Sequence, residues 1–360
     1  MTLNRSPECL EDGPELVAIK TYQRDVAATR SGRIVEEKQC LVRLSHTPTH
    51  PYTMKLLGTA KDDVSLHFLL SPVLGGSLHK HVTRRVSDEA HNLSLNTVRW
   101  YAAEVVSALR FLASRGVVHR DIKLNNLLLD ERGHAILCDF SSAKMLCAHD
   151  IVARLHPRDA KRTFTVTGSL HNMAPEMAAE ICGHSFPVDW WALGVLIHEM
   201  LTGSSFPWDR RQVTILKESA LHALQGCEDT SLQGCWDWQS ILPVLADLPC
   251  YTPTKPLGLA ARDLVGKLLT IRPERRLEHF SDGGREIKDE ECCFDDLFTR
   301  LQVHAFFDGI DWDRVHAGTS PSPWPDFDRR LGFLDLLATG GDADASDSVT
   351  ADQQALFVDF

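Results

Sequence analysis

From Val188 to Leu201 the chain reads Val-Asp-Trp-Trp-Ala-Leu-Gly-Val-Leu-Ile-His-Glu-Met-Leu, apolar on nearly every side of a helix instead of along one stripe. Such a helix has to be enclosed by protein, because this stretch is far shorter than the roughly 20 residues that cross a bilayer. It is therefore expected to be the spine of a large folded unit. The chain has the material to enclose it: 360 residues, 43% hydrophobic, with 22 Gly and 17 Pro, which excludes a collagenous, low-complexity or wholly disordered protein. That length predicts about two domains.

Charge and cysteine usage narrow the partners. The formal net charge of −11 repels phosphate backbones and anionic lipid, so nucleic acid is not expected as a partner. The opening Met-Thr-Leu-Asn-Arg-Ser-Pro-Glu-Cys-Leu carries no apolar leader, and no stretch reaches membrane-span length. The expectation is an intracellular, cytoplasmic protein with access to the nucleus left open. Ten cysteines are scattered, only Cys292 and Cys293 adjoin, and no CxxC occurs, which disfavours a disulfide framework and a zinc module alike.

Along the chain, Glu15–Lys20 reads as a strand after the turn-like Glu11-Asp12-Gly13-Pro14. Residues 32–45 read as an amphipathic helix bearing Glu37. Strands are predicted at Tyr52–Leu57 and Val64–Leu70, with Lys61-Asp62-Asp63 turning between them. Thr97–Ser114 has a helical apolar face ended by Gly116, and 127–129 with 135–138 make a hairpin. Residues 147–162 and 209–256 look like surface excursions. Gly340–Asp352 has the composition of a solvated tail.

Chemistry concentrates at His119-Arg120-Asp121-Ile122-Lys123-Leu124-Asn125-Asn126, with Asp139-Phe140-Ser141 following after the hairpin. One carboxylate, one ammonium and one amide at a hairpin rim, with a second carboxylate at the next strand's end, are the groups that phosphoryl transfer needs. Such a transfer is catalysed mainly by positioning and charge neutralisation. Asp121 would orient an incoming hydroxyl and take its proton, Lys123 would offset charge on the phosphoryl oxygens, and Asn126 and Asp139 would offer hard oxygens to Mg²⁺. At about 5% per position, five matched positions arise by chance with odds on the order of one in ten thousand over such a chain.

On these residues the chain resembles the eukaryotic protein kinases. Further motifs follow in that family's order: Val17-Ala18-Ile19-Lys20, Glu37, Ala174-Pro175-Glu176, and Arg276 placed to meet Glu176. Asp189–Ile197, Arg162-Thr163-Phe164-Thr165, His304–Trp312 and the closing Phe357-Val358-Asp359-Phe360 narrow the resemblance to the AGC group, most like catalytic subunits of cyclic-AMP-dependent protein kinase. The resemblance implies an α+β, bilobal fold: an incomplete N-lobe at 1–74, a helical C-lobe at 75–316, and an AGC-type tail at 317–360. It implies ATP and Mg²⁺ as cofactors. Lys20 and Glu37 would be catalytic as a pair. Leu70 would be the gatekeeper, Ser71 to Val73 the hinge, and Ala18 and Leu128 the adenine sandwich. Leu41, Leu56, His119 and Phe140 would stack as a column. Thr165 would be a phosphosite read by Arg120 and Lys144, and Phe357 and Phe360 a docking hydrophobic motif. Protein substrates, an upstream activating kinase and a monomeric state follow as expected partners and assembly.

Departures from the family carry their own expectations. Only Gly13 precedes Lys20, without a GxGxxG, so the resemblance implies that the first strand and the glycine-rich loop are missing from this sequence. Ser141 replaces a glycine, and Ser169, Leu170 and His171 replace Thr-Pro-Glu. Ser77, Asn125 and His171 stand where cyclic-AMP-dependent kinase has acids that receive substrate arginines, leaving Glu199 alone. The expected function is a serine/threonine protein kinase, with Lys123 marking the serine/threonine class. A pseudokinase or scaffold that keeps the fold without efficient ATP use is the alternative.

Overall fold

The computed structural model describes residues 2–5, 16–46, 48–87, 93–146, 163–178, 183–206, 258–271 and 294–324, with positions 214, 273 and 276. The Glu11–Pro14 turn, most of the two surface excursions, the cysteine pair, the acidic tail, Phe357 and Phe360 lie outside them.

A small sheet comes first. Strands β1 (Thr2–Arg5), β2 (Ala18–Gln23), β3 (Leu56–Lys61) and β4 (Ser65–Leu70) pair antiparallel in the order β1-β3-β4-β2. The Asp62 carboxylate makes the β3–β4 turn, accepting the N–H of Val64 at 2.9 Å and of Ser65 at 2.8 Å, as a turn aspartate does.

Two expectations need correction, and one strand was not expected. The lysine strand is displaced to 18–23. The strand expected at Tyr52–Leu57 begins at Leu56, because residues 52–54 bond to the other lobe: Leu137 donates its N–H to the Tyr52 carbonyl, and Met54 donates to that of Leu137, both at 2.9 Å. A strand does precede Lys20, at Thr2–Arg5, but it lies beside β3, on the sheet edge opposite β2.

Helix α1 (Arg24–Ser45) follows β2 directly, begins earlier than its apolar pattern predicts, and buries Ile34, Glu37, Cys40, Leu41 and Leu44 on one face. Residues 71–74 then lead out of the sheet into α2 (Leu78–Ser87). Gly75 donates its N–H to the Leu129 carbonyl at 2.9 Å, and Leu129 returns a bond to Gly76 at 2.8 Å. His81 on α2 donates from Nε2 to the Gly75 carbonyl at 2.7 Å, and the Trp324 ring stands edge-on to His81 with centroids 5.7 Å apart.

The larger lobe is helical. Helix α3 (Leu95–Ser114) starts where Ser94 Oγ accepts the Thr97 N–H at 3.0 Å. It packs against β5 (Val117–Val118), the hairpin β6 (Leu127–Leu129) and β7 (Ala135–Leu137), and α5 (Pro187–Thr202). Strand β8 (Lys144–Met145) pairs with β5, and α4 (Pro175–Ala178) precedes α5. Helices α6 (Leu259–Leu268), α7 (Phe294–Gln302) and α8 (Trp312–Ala317) complete the described chain.

Helix α5 is buried nearly all round, as its sequence requires. Gly194 lets α6 come close: a Cβ there would sit 2.9 Å from the Leu268 Cβ. Among the described residues no helix is long and apolar enough to cross a membrane.

Candidate active site

Strand β2 and helix α1 place a lysine opposite a glutamate. Lys20 Nζ lies 2.8 Å from Glu37 Oε1 and 2.8 Å from Asp139 Oδ1, so one ammonium joins the small lobe to the large one. Tyr22, two residues along and so on the same strand face, donates its hydroxyl to Glu37 Oε2 at 2.6 Å. Burial alone would lower the Lys20 pKa, but Glu37 and then Asp139 outweigh it, so its net shift is upward and it stays cationic. Burial and then Glu37 push the Tyr22 phenol up to about 12. Burial works to raise the Asp139 pKa, yet Lys20 prevails and holds that carboxyl at about 2.

The catalytic-loop candidates follow β5. His119 donates from Nε2 to the Cys138 carbonyl at 3.0 Å and accepts the Asp121 N–H at Nδ1 at 3.3 Å, which fixes its tautomer. Arg120 has φ 68° and Asp139 φ 57°, in the left-handed region that costs a non-glycine residue energy. Asp189, from the buried helix α5, holds the first of these: its Oδ1 accepts the Arg120 N–H at 2.7 Å and its Oδ2 that of His119 at 2.8 Å.

Asp121 is held from three directions. Oδ2 accepts Lys123 Nζ at 2.7 Å and Asn126 Nδ2 at 3.0 Å, while Oδ1 accepts the Ser169 N–H at 2.8 Å. Lys123 Nζ also reaches Ser169 Oγ at 2.7 Å. Burial pulls the Asp121 pKa up, and Lys123 and Ser169 bring it down further than that, leaving a net lowering. Gly168 (φ 94°) makes the approach feasible, since any Cβ there would lie 2.4 Å from the Arg120 carbonyl oxygen. The Cys138 N–H donates to the Asn126 carbonyl at 2.9 Å, tying Asn126 to the segment that carries Asp139.

Candidates for the nucleotide base lie at the lobe junction. Ala18 and Leu70 are direct partners across β2 and β4, and Leu128 bridges to Ser77 just beyond the 71–74 segment. Ala18, Leu70, Ser71, Val73 and Leu128 are all half-buried. Of the expected column, Leu41 is buried, Leu56 half-buried, and the rings of His119 and Phe140 meet edge to face at 4.9 Å.

Thr165 is exposed, and Arg120 Nη1 donates to its backbone carbonyl at 3.0 Å. Lys144, expected to share in reading a phosphate there, is engaged by Glu36 Oε1 at 2.8 Å. Arg276 meets Glu176 in a buried bidentate pair at 2.8 and 3.0 Å. Glu199 is half-buried, its carboxyl pushed up by burial, with the Phe206 N–H and His171 opposing.

Sequence reasoning passed over Tyr22, Gly168 and the roles of Asp189 and Ser169. An aspartate inside an otherwise apolar helix was the available signal, because a buried carboxylate requires partners. The two-residue spacing of Tyr22 from Lys20 was another.

A strand-rich lobe and a helical lobe joined through Lys20 and Asp139 make a protein kinase fold. The profile of the protein kinase domain family matches residues 7–282, and the chain belongs to that family, in its AGC type. It is 30% identical over 302 residues to the cAMP-dependent protein kinase catalytic subunit PRKX of Mus musculus, covering 84% of this chain and 64% of that one. It is 31% identical over 276 residues to ribosomal protein S6 kinase alpha-4 of Homo sapiens, covering 76% of this chain and 29% of that one. Identity to the cAMP-dependent protein kinase catalytic subunit of Dictyostelium discoideum is 30% over 277 residues, covering 76% of this chain and 33% of that protein. The chain thus spans less than two thirds of the length of these relatives.

Proposed function

We propose that this chain transfers the γ-phosphoryl group of ATP to serine or threonine hydroxyls of proteins. The observation that carries the reading is the pinned Asp121, whose carboxylate is aimed by Lys123, Asn126 and Ser169. The relatives' names support it. The lobes divide at about residues 74 and 75, with the tail beginning near 317. Protein substrates, an upstream activating kinase, a monomeric state and a cytoplasmic setting belong to the same proposal.

Residue chemistry fits Mg²⁺. The Asp139 side chain is 39% exposed, and the Nδ2 of Asn126 is committed to Asp121, which leaves the Asn126 amide oxygen as its ligand atom. Among the described residues no group of three His, Cys, Asp or Glu could hold a metal, and Mg²⁺ needs only one or two protein oxygens beside phosphate. When bound, the ion would neutralise charge on the phosphates. Lys20 would hold the phosphates from the small lobe while Glu37 and Tyr22 fix its position. Asp121 would accept the hydroxyl proton of the substrate, and Lys123 would face the moving phosphoryl group.

The test is phosphate transfer from γ-labelled ATP to a protein substrate, with a Mg²⁺-ATP thermal shift in parallel. Transfer that vanishes in Asp121→Asn while the shift persists supports the reading. A thermal shift without transfer in the parent chain favours a pseudokinase, and neither signal removes the nucleotide reading altogether.

A further inference from the structure

Among the described residues near the activation segment, Asn172 Nδ2 and His184 Nε2 are buried without a hydrogen-bond partner, and His184 is the one paired with the segment that carries Thr165. The residue is 2% exposed, and its Nε2 has no hydrogen-bond partner among the described residues. Buried polar atoms are seldom left so, and each case needs a cause.

Its neighbours suggest one. His184 and Thr163 form an isolated antiparallel bridge, exchanging N–H and carbonyl bonds at 3.0 and 2.9 Å, so their side chains leave the pair on one side. Thr163 Oγ1 lies 3.3 Å from Thr165 Oγ1, so the Thr165 hydroxyl shares that side. Arg120, bonded to the Thr165 carbonyl, and Lys144 both act on the His184 ring through their charge. The acids in this neighbourhood are Glu36, which pairs with Lys144 at 2.8 Å and also acts on Arg120, and Asp189, which acts on Arg120 too, while Arg33 adds positive charge. Two cations whose charge reaches His184, and its unpaired nitrogen, therefore share a neighbourhood with two threonine hydroxyls. Of these, Thr163 is buried and Thr165 exposed.

We propose that His184 is a ligand of a phosphate carried on Thr165, completing a cradle with Arg120 and Lys144 in which the buried Thr163 hydroxyl donates the fourth bond. The proposal rests on Thr165 being a phosphosite and adds the group that reads it. In the modification, the Thr165 oxygen–phosphorus bond forms and the bond from the γ-phosphorus to the β-bridging oxygen breaks. Nucleoside diphosphate leaves, and the hydroxyl proton passes to the base of the transferring kinase. A phosphate dianion offers strong acceptors to Arg, Lys and imidazolium. It would draw Lys144 away from Glu36 and supply the negative charge that His184 lacks. Without it, burial and then Arg120 and Lys144 hold the imidazole neutral, at about 3.

The test uses the full chain with phosphothreonine installed at 165 by genetic encoding. Ring ¹⁵N signals of His184 should report a neutral imidazole at pH 7 in the unmodified chain and an imidazolium in the phosphorylated one; a neutral ring in both overturns the inference. Removal of the phosphate by a broad-specificity phosphatase gives a second measure. It should run at least about tenfold faster in His184→Phe and in Lys144→Met than in the parent, by loss of charge-assisted bonds. Protection lost in Lys144→Met but kept in His184→Phe removes His184 and leaves the Thr165 reading intact. A parent phosphate cleaved as fast as that of a short phosphothreonine peptide removes both. If His184→Phe does not fold, the ¹⁵N measurement on the unsubstituted chain still decides.

Discussion

Asp189 Oδ1 accepts the backbone N–H of Arg120 at 2.7 Å, and this bond keeps a non-glycine residue at φ 68° beside the pinned Asp121. A carboxylate on the most enclosed helix thereby sets the backbone from which the catalytic candidates project. Its pKa is raised by burial, against the opposing pull of His119 and Arg120.

Replacing Asp189 with Ala leaves two enclosed backbone donors unmatched. At about 1–3 kcal/mol each, the loss should reach about 2–6 kcal/mol. Urea unfolding measures it. Phosphoryl transfer should fall about a hundredfold as Arg120 relaxes, a cost typical of misplacement near 1 Å. An unchanged midpoint and rate would show that the loop holds its own shape.

Arg276 is fully enclosed and bonds Glu176 twice, with further bonds to the carbonyls of Pro187, Thr270 and Ile271. Arg276→Ala strands the Glu176 carboxylate, and stability should drop by about 3–5 kcal/mol, as when one partner of a buried pair is removed. The double replacement Arg276→Met with Glu176→Leu should recover part of that loss. No recovery would show that the carbonyl bonds, not the ion pair, dominate.

Acid should weaken the fold well above the range where carboxylates titrate. Burial lowers the pKa of His50 and His184 to about 3 and of His198 to about 4, from an ordinary 6.5. The folded chain then binds fewer protons than the unfolded one, so this contribution is complete above about 6.5 and is lost as pH falls toward 4 and below. Glu104, raised to about 7 by burial despite its 2.6 Å contact with His134, works in the opposite sense. Three histidines outweigh it. Urea midpoints should therefore decline from pH 6.5 to pH 4, and a flat profile would contradict the enclosed neutral rings.

Substrate choice should be loose. Ser77, Asn125 and His171 are uncharged or basic where cyclic-AMP-dependent kinase has acids, and burial makes Glu199 a weaker anion. A peptide array should show little demand for arginine ahead of the target hydroxyl. A sharp requirement for two consecutive arginines would contradict this.

Much of the site was legible because its groups are side chains in a fixed order. Lys20 and Glu37 do pair, and Glu176 meets Arg276. What escaped depends on backbone partners or on competition. Asp189 serves N–H groups that every residue carries, so no letter marks its targets. Tyr52 and Met54 fit a strand pattern, yet their backbone bonds go to Leu137. Lys144 fits a phosphate reader, but Glu36 holds it in the unmodified chain. Thr2–Arg5 pairs with β3, a long-range register that local pattern cannot supply.

The edge-on contact of Trp324 with His81 gives the protein an internal optical gauge. That indole is one imidazole and one carbonyl removed from Gly75, at the point where the two lobes join. Any molecule that wedges the lobes apart or draws them together should shift its emission, and since the chain holds eight tryptophans the signal is the difference between the native chain and Trp324→Phe, with no attached dye.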